Sequence, residues 1–217
     1  AVTTVTPAKP APPARAEKKP ESAWPSGAGT LIAQAQSAYA ARRYDQAEKT
    51  YQEVLRMDES NPNTLANLAL IQMEQNHLAD AEANLQKVLS RDPQDGYSLS
   101  LLGILHFRQE KYDEALDVLS RAVKLQPENS EAQNFLGIAL SQKGHRQAAE
   151  AALRKAIQLA PNYANAHQNL AVVYATQQPP FLELARWHYQ KSQAAGQPPN
   201  AALEKLLENK PSTAGYQ

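Results

Sequence analysis

The string Tyr44-Asp45-Gln46-Ala47 returns as Leu78-Ala79-Asp80-Ala81, then as Tyr112-Asp113-Glu114-Ala115, then as Arg146-Gln147-Ala148-Ala149, each copy 34 residues after the last. A fixed period of that length is the first thing to establish in a chain, because it sets the architecture. Other positions keep the same step. Pro93, Pro127 and Pro161 lie 34 apart, and the first copy has Glu59 at the matching place with Pro62 three residues later. Proline fixes its own φ and has no amide donor, so helices are expected to stop at these points. Small residues recur at Ala35, Ala69, Gly103, Gly137 and Ala171, four of them directly after a leucine.

Between the breaks the chain reads as pairs of amphipathic helices. Ala47, Ala81, Ala115 and Ala149 open each second helix, Tyr51, Leu85, Leu119 and Leu153 follow one turn later, and Val54, Val88, Ala122 and Ala156 complete the apolar stripe. The small residues let two backbones approach, and the large one between them locks the pair. One unit of this size cannot bury its own apolar face, so each copy has to lean on its neighbours.

The composition agrees. Aromatic residues make up only 6% of the 217, which suits short helices and argues against a β-sandwich or barrel core. The 22 basic and 22 acidic residues cancel, leaving no global field to draw the chain onto nucleic acid or an anionic membrane. With no cysteine, disulfides, thiolate metal sites and cysteine nucleophiles are excluded. The longest apolar run, Leu99 to Phe107, is interrupted by Ser100, Gly103 and His106 and is far short of a membrane span, so no direct membrane insertion is expected.

Residues 1–27 hold prolines at 7, 10, 12, 13, 20 and 25 among alanines, Lys9, Arg15, Lys18 and Lys19. Proline at that density predicts an extended, disordered spacer in which Trp24 is the one residue suited to docking. The chain starts at Ala1, which reads either as a processed start or as a cut from something longer. Four regular copies are expected at 28–61, 62–95, 96–129 and 130–163. A modified fifth at 164–196 has its turn lengthened by Gln177-Gln178-Pro179-Pro180 and carries Leu184, Trp187 and Tyr189 in its second helix. Residues 197–217 read as a capping helix and tail, with Asn200 as the cap and Leu203, Leu206 and Leu207 on one face.

The 34-residue step, the Leu-Ala/Gly pairs and the closing prolines together resemble the tetratricopeptide repeat, over residues 28 to about 195. The resemblance implies an all-α, right-handed solenoid whose first helices line a concave groove, at positions 2, 5, 9, 12 and 13 of each copy. On this chain those positions give candidate groove residues Tyr39, Leu70, Met73, Tyr97, Ile104, Phe107, Arg108, Asn134 and Ile138, with Val172 and Glu74 beside them and amides from Asn63, Asn165 and Gln168. The carboxylate-clamp subclass needs basic residues at position 5, where this chain has Ile32, Ala66, Ser100, Asn134 and Gln168. The asparagine ladder of the sugar-transferase type needs position 6, which reads Ala33, Asn67, Leu101, Phe135 and Asn169. Neither pattern is met. The expected ligand is an apolar or helical segment of a partner.

No catalytic residue, cofactor or metal is expected. The histidines His77, His106, His145, His167 and His188 include no pair at the i, i+4 spacing that lets two imidazoles share an ion, and no phosphate loop, nucleophile elbow or HExxH pair is present. The reading is therefore a non-enzymatic scaffold for a protein or peptide partner, not nucleic acid. The alternatives are a homotypic assembly module, in which the same face self-associates, and an adaptor domain of a larger envelope protein or enzyme. The Ala/Gln-rich style looks bacterial. The compartment is left open, with a periplasmic or envelope-associated setting ahead of the cytoplasm.

Overall fold

The computed structural model describes residues 27–208, so the Pro/Ala/Lys segment with Trp24 and the last nine residues lie outside it. The described residues form eleven α-helices and no strand: α1 Ala28–Ala40, α2 Tyr44–Met57, α3 Pro62–Glu74, α4 Leu78–Arg91, α5 Gly96–Arg108, α6 Tyr112–Leu125, α7 Ser130–Gln142, α8 Arg146–Leu159, α9 Ala164–Ala175, α10 Leu182–Ala194 and α11 Ala201–Glu208. They belong to two compact units, one ending at Pro127 and one starting at Glu128.

The first unit is three helical hairpins, α1/α2, α3/α4 and α5/α6. Each hairpin turns through one residue with a left-handed backbone, Arg42 (φ 58°), Asn76 (φ 64°) and Glu110 (φ 61°), again 34 apart. The amide after each of these reaches back to the carbonyl five residues earlier: Arg43 to Ala38, His77 to Gln72 and Lys111 to His106, at 2.7 to 2.9 Å. That bond satisfies a carbonyl the ending helix would otherwise leave open. The hairpins are joined by short turns whose last residue caps the next helix. The side chains of Asn61 and Asp95 accept from the amides of Thr64 and Ser98 at 3.0 and 2.8 Å.

Inside a hairpin the small residue sets the distance between backbones. A Cβ placed on Gly103 would lie 2.5 Å from Leu119 Cγ. Leu119, like its counterparts Tyr51 and Leu85, is fully buried. The core at the start of this unit gathers Ile32, Ala35, Tyr39, Ala47, Tyr51, Val54, Leu68 and Ile71 from α1, α2 and α3.

The second unit holds the hairpins α7/α8 and α9/α10, followed by α11. The α7/α8 hairpin repeats the pattern: Asn129 accepts from Ala132 N at 2.9 Å, Gly144 supplies the left-handed turn, and a Cβ on Gly137 would meet Leu153 Cγ at 2.6 Å. The α9/α10 hairpin departs from it. Tyr163 stands where Asn or Asp capped the earlier helices and makes no side-chain cap, and the turn runs through 176–181 with a cis peptide between Gln178 and Pro179. Asn200 caps α11 by accepting from Leu203 N at 3.1 Å, and Leu203 and Leu207 enter the core formed by Leu170, Tyr174, Ala185 and Tyr189. The Arg186 guanidinium donates to the Leu207 carbonyl at the other end of α11.

Candidate partner-binding surfaces

On the first unit the candidate groove residues fall into two groups. Tyr39, Met73, Ile104 and Phe107 are buried, Met73 to 2% and Ile104 to 3% exposure, so they are wall rather than surface. Their burial comes from packing. Tyr39 and Phe107 lean onto the first residue of the following helix, with ring centroids 5.9 Å from Tyr44 and 5.5 Å from Tyr112. Helix α3 packs directly on α5, and Ile104 on α5 is buried.

Leu70, Tyr97 and Arg108 remain partly open, with Asn63 and Glu74 beside them. A polar frame holds them. The Tyr97 hydroxyl donates to Asn67 Oδ1 at 3.3 Å, and the Arg108 guanidinium donates to the Met73 carbonyl and pairs with Glu74 Oε1, both at 2.8 Å. Each bond links α3 to α5, and their α3 ends, Asn67 and Met73-Glu74, lie one turn before and one turn after Leu70. On the second unit Asn134 and Ile138 are buried at 1% and 3%. The Asn134 side chain is an inter-repeat acceptor, taking a hydrogen bond from Asn169 Nδ2 at 2.9 Å. Val172 and Asn169 stay partly open.

The α9/α10 hairpin carries a constellation that sequence spacing hid. His167 on α9 and His188 on α10 meet with their Nδ1 atoms 2.9 Å apart, and His167 Nε2 lies 3.0 Å from the Pro161 carbonyl. A carbonyl only accepts, so Nε2 of His167 carries a proton, and across the Nδ1–Nδ1 contact one ring donates and the other accepts. Burial pushes the His188 imidazole down to about 4, helped by His167 and Arg154 and opposed by Glu150. Tyr174 donates to Glu150 Oε1 at 2.8 Å, and burial with that carboxylate raises its phenol to about 12. Residues 21 apart in sequence give no periodic signal of such a pair. Among the described residues no group of three or more metal-ligating side chains exists.

His188 also lines a groove of about 930 Å³ between α8 and α10, together with Glu150, Ala151, Arg154, Lys155, Ile157, Tyr174, Leu184 and Trp187. Leu184, Trp187 and nearby Phe181 are about half exposed, at 48%, 50% and 49%. Among the described residues no helix is long and apolar enough to cross a membrane.

The sequence profile described as tetratricopeptide repeat matches residues 32–96, 66–130 and 100–164, which together take in more than half of the chain. No curated protein sequence matches significantly. Among solved structures, PilF of Pseudomonas aeruginosa is 21% identical with a TM-score of 0.71, over 83% of this chain and 84% of that one. TTC0263, a thermophilic TPR protein of Thermus thermophilus, is 23% identical with a TM-score of 0.67, over 83% and 97%. MamA of Desulfovibrio magneticus RS-1 is 21% identical with a TM-score of 0.64, over 80% and 97%. At these identities the likeness is one of fold. Repeats of this kind serve generally as protein-interaction scaffolds rather than as enzymes. With the 34-residue hairpins, their caps and the profile match in agreement, the chain belongs to the tetratricopeptide-repeat family.

Proposed function

We propose that the chain is a non-enzymatic scaffold that holds an apolar or helical segment of a partner protein along the first-helix face of residues 27–127. The observation that carries this reading is the partly open Leu70 on α3, between Asn67, which holds Tyr97, and Glu74, which holds Arg108. An aliphatic contact with an aromatic neighbour supplies burial, and polar groups already fixed in place orient a backbone without further ordering cost. Met73, Ile104 and Phe107, buried in the same unit, back that surface.

The test uses a photo-crosslinking amino acid at Leu70 and at Tyr97 in the native cell, with exposed Lys87 as the control. One protein captured at 70 and 97 but not at 87 supports the reading. Affinity for that protein should then fall about tenfold on Leu70→Asp with helicity unchanged. Capture of a second copy at these positions would instead make the face a homotypic interface, and unchanged affinity of Leu70→Asp would sink the groove reading.

A further inference from the structure

The outer stripe of the second helices is polar or small in four repeats and changes in the fifth. Arg43, Gln46 and Lys49 become His77, Asp80 and Ala83, then Lys111, Glu114 and Asp117, then His145, Ala148 and Ala151. Allowing for the longer turn before Ala185, the matching residues of the last hairpin are Phe181, Leu184 and Trp187. Their i, i+3, i+6 spacing puts them along one stripe. They are three of the five large apolar side chains that stand well exposed among the described residues. Helix α11 does not shield them, since it packs on α9 and on the other side of α10 through Leu203 and Leu207. Ala151 on α8 is small, so the helix facing Trp187 leaves the space that a guest side chain needs.

The rim is cationic. Arg154 and Lys155 line the groove, and Lys191 Nζ lies 5.4 Å from the centroid of the Trp187 ring. The lining carboxylate, Glu150, is already engaged by Tyr174 at 2.8 Å and by Arg154 at 3.4 Å. His188 adds a polar ring edge to the wall. Such a surface favours a guest with one apolar face and negative charge beside it.

We propose that the groove between α8 and α10 is a second docking site, separate from the first-helix face, and that its occupant is an acidic amphipathic helix of another protein. The chain's own outlying segments do not fit that chemistry. Residues 1–26 carry Lys9, Arg15, Lys18 and Lys19 against Glu17 and Glu21, and residues 209–217 carry Lys210 with no acidic side chain. A basic segment meets Arg154 and Lys155 with repulsion. The lining runs from Gln147 to Gln158 along α8, about three turns, and meets Leu184, Trp187 and His188 on α10, room for about three turns of a guest helix.

The full chain is titrated with two 18-residue synthetic helices that share a Leu/Trp apolar face, one with an all-Glu polar face and one with an all-Lys polar face, read by fluorescence anisotropy of labelled peptide. The proposal expects the Glu helix to bind at least tenfold tighter, Leu184→Ser with Trp187→Ala to lose at least tenfold, and Arg154→Glu with Lys155→Glu to reverse the preference. All four side chains are partly or well exposed, and circular dichroism confirms the fold of each variant. Leu70→Asp should leave this binding unchanged, which separates a failure here from a failure of the first-helix reading. No binding of either peptide, or equal binding of both, overturns the proposal. A concentration-dependent dimer in light scattering that the Leu184/Trp187 variant abolishes would assign the face to a second copy. Binding that appears only after removal of residues 1–26 would assign it to the chain's own tail, and either result also overturns the proposal.

Discussion

Ile104 shows how a single side chain can belong to a binding face by position and to the core by environment. At 3% exposure its truncation leaves a cavity under the first-helix surface, and Ile104→Ala should cost about 2–4 kcal/mol in chemical denaturation. Leu70, one repeat earlier at the same position, is partly open and should cost far less. Gly137 makes the opposite case. Alanine would improve helix propensity by about 1 kcal/mol, but its Cβ would press on buried Leu153 and on the Ala149 carbonyl at 3.1 Å. Because Ala35, Ala69 and Ala171 hold the same slot elsewhere, the repulsion is bounded. Gly137→Ala should lose about 1–2 kcal/mol on balance, read from the urea midpoint. His188 brings pH into play. An unfolded imidazole takes its proton near pH 6.5, and the folded one, beside His167, Arg154, Glu150 and Tyr174, only near 4. Between those values the unfolded chain holds the extra proton, so stability is complete above pH 6.5 and declines as pH falls toward 4. Water at the partly buried ring screens the effect to about 1 kcal/mol, and His188→Gln should flatten the slope of melting temperature against pH over that window.

At the scale of an element, helix ends are where the sequence carried information that periodicity does not show. Asn61, Asp95 and Asn129 are caps in the same 34-residue register as the prolines, a signal readable from residue type alone once the register is known. Replacing Asp95 by Ala should cost about 1 kcal/mol and fray the first turn of α5, visible as faster amide exchange at Ser98. The left-handed turn residues offer the reverse experiment. Glu110 at φ 61° sits where the fourth hairpin has Gly144, and Glu110→Gly should raise stability by about 0.5–1 kcal/mol, since only glycine is unstrained there. What the sequence could not show at this scale is how closely one first helix packs on the next. That distance decides whether positions 9 and 12 face a ligand or a neighbour, and it depends on the summed sizes of side chains from both helices. The α9/α10 histidine pair was hidden for a related reason, because its partners come from different helices joined by an irregular turn.

For the whole molecule, the all-α repeat class was legible from the 34-residue step, because the regular copies each supply a small residue and a large partner in register, and three of them close on a proline. Stability in such a chain is close to a sum over repeats and the seams between neighbours. Damage should therefore stay local. Leu203→Ser with Leu207→Ser opens the Leu170, Tyr174 and Tyr189 core at a cost of about 4 kcal/mol. Hydrogen exchange should quicken in α9 and α10 and leave α1 to α4 unchanged; uniform quickening along the chain would refute a summed stability.

The caps have a further consequence. Asn61 and Asp95 end their turns in the same conformation and offer the next helix the same acceptor at the same place. A chain spliced directly from Asn61 to Gly96 would meet the joint it already has, one unit shorter. The length of this protein can thus change in whole steps of one repeat through gene duplication or loss, while a change of a few residues would break the join.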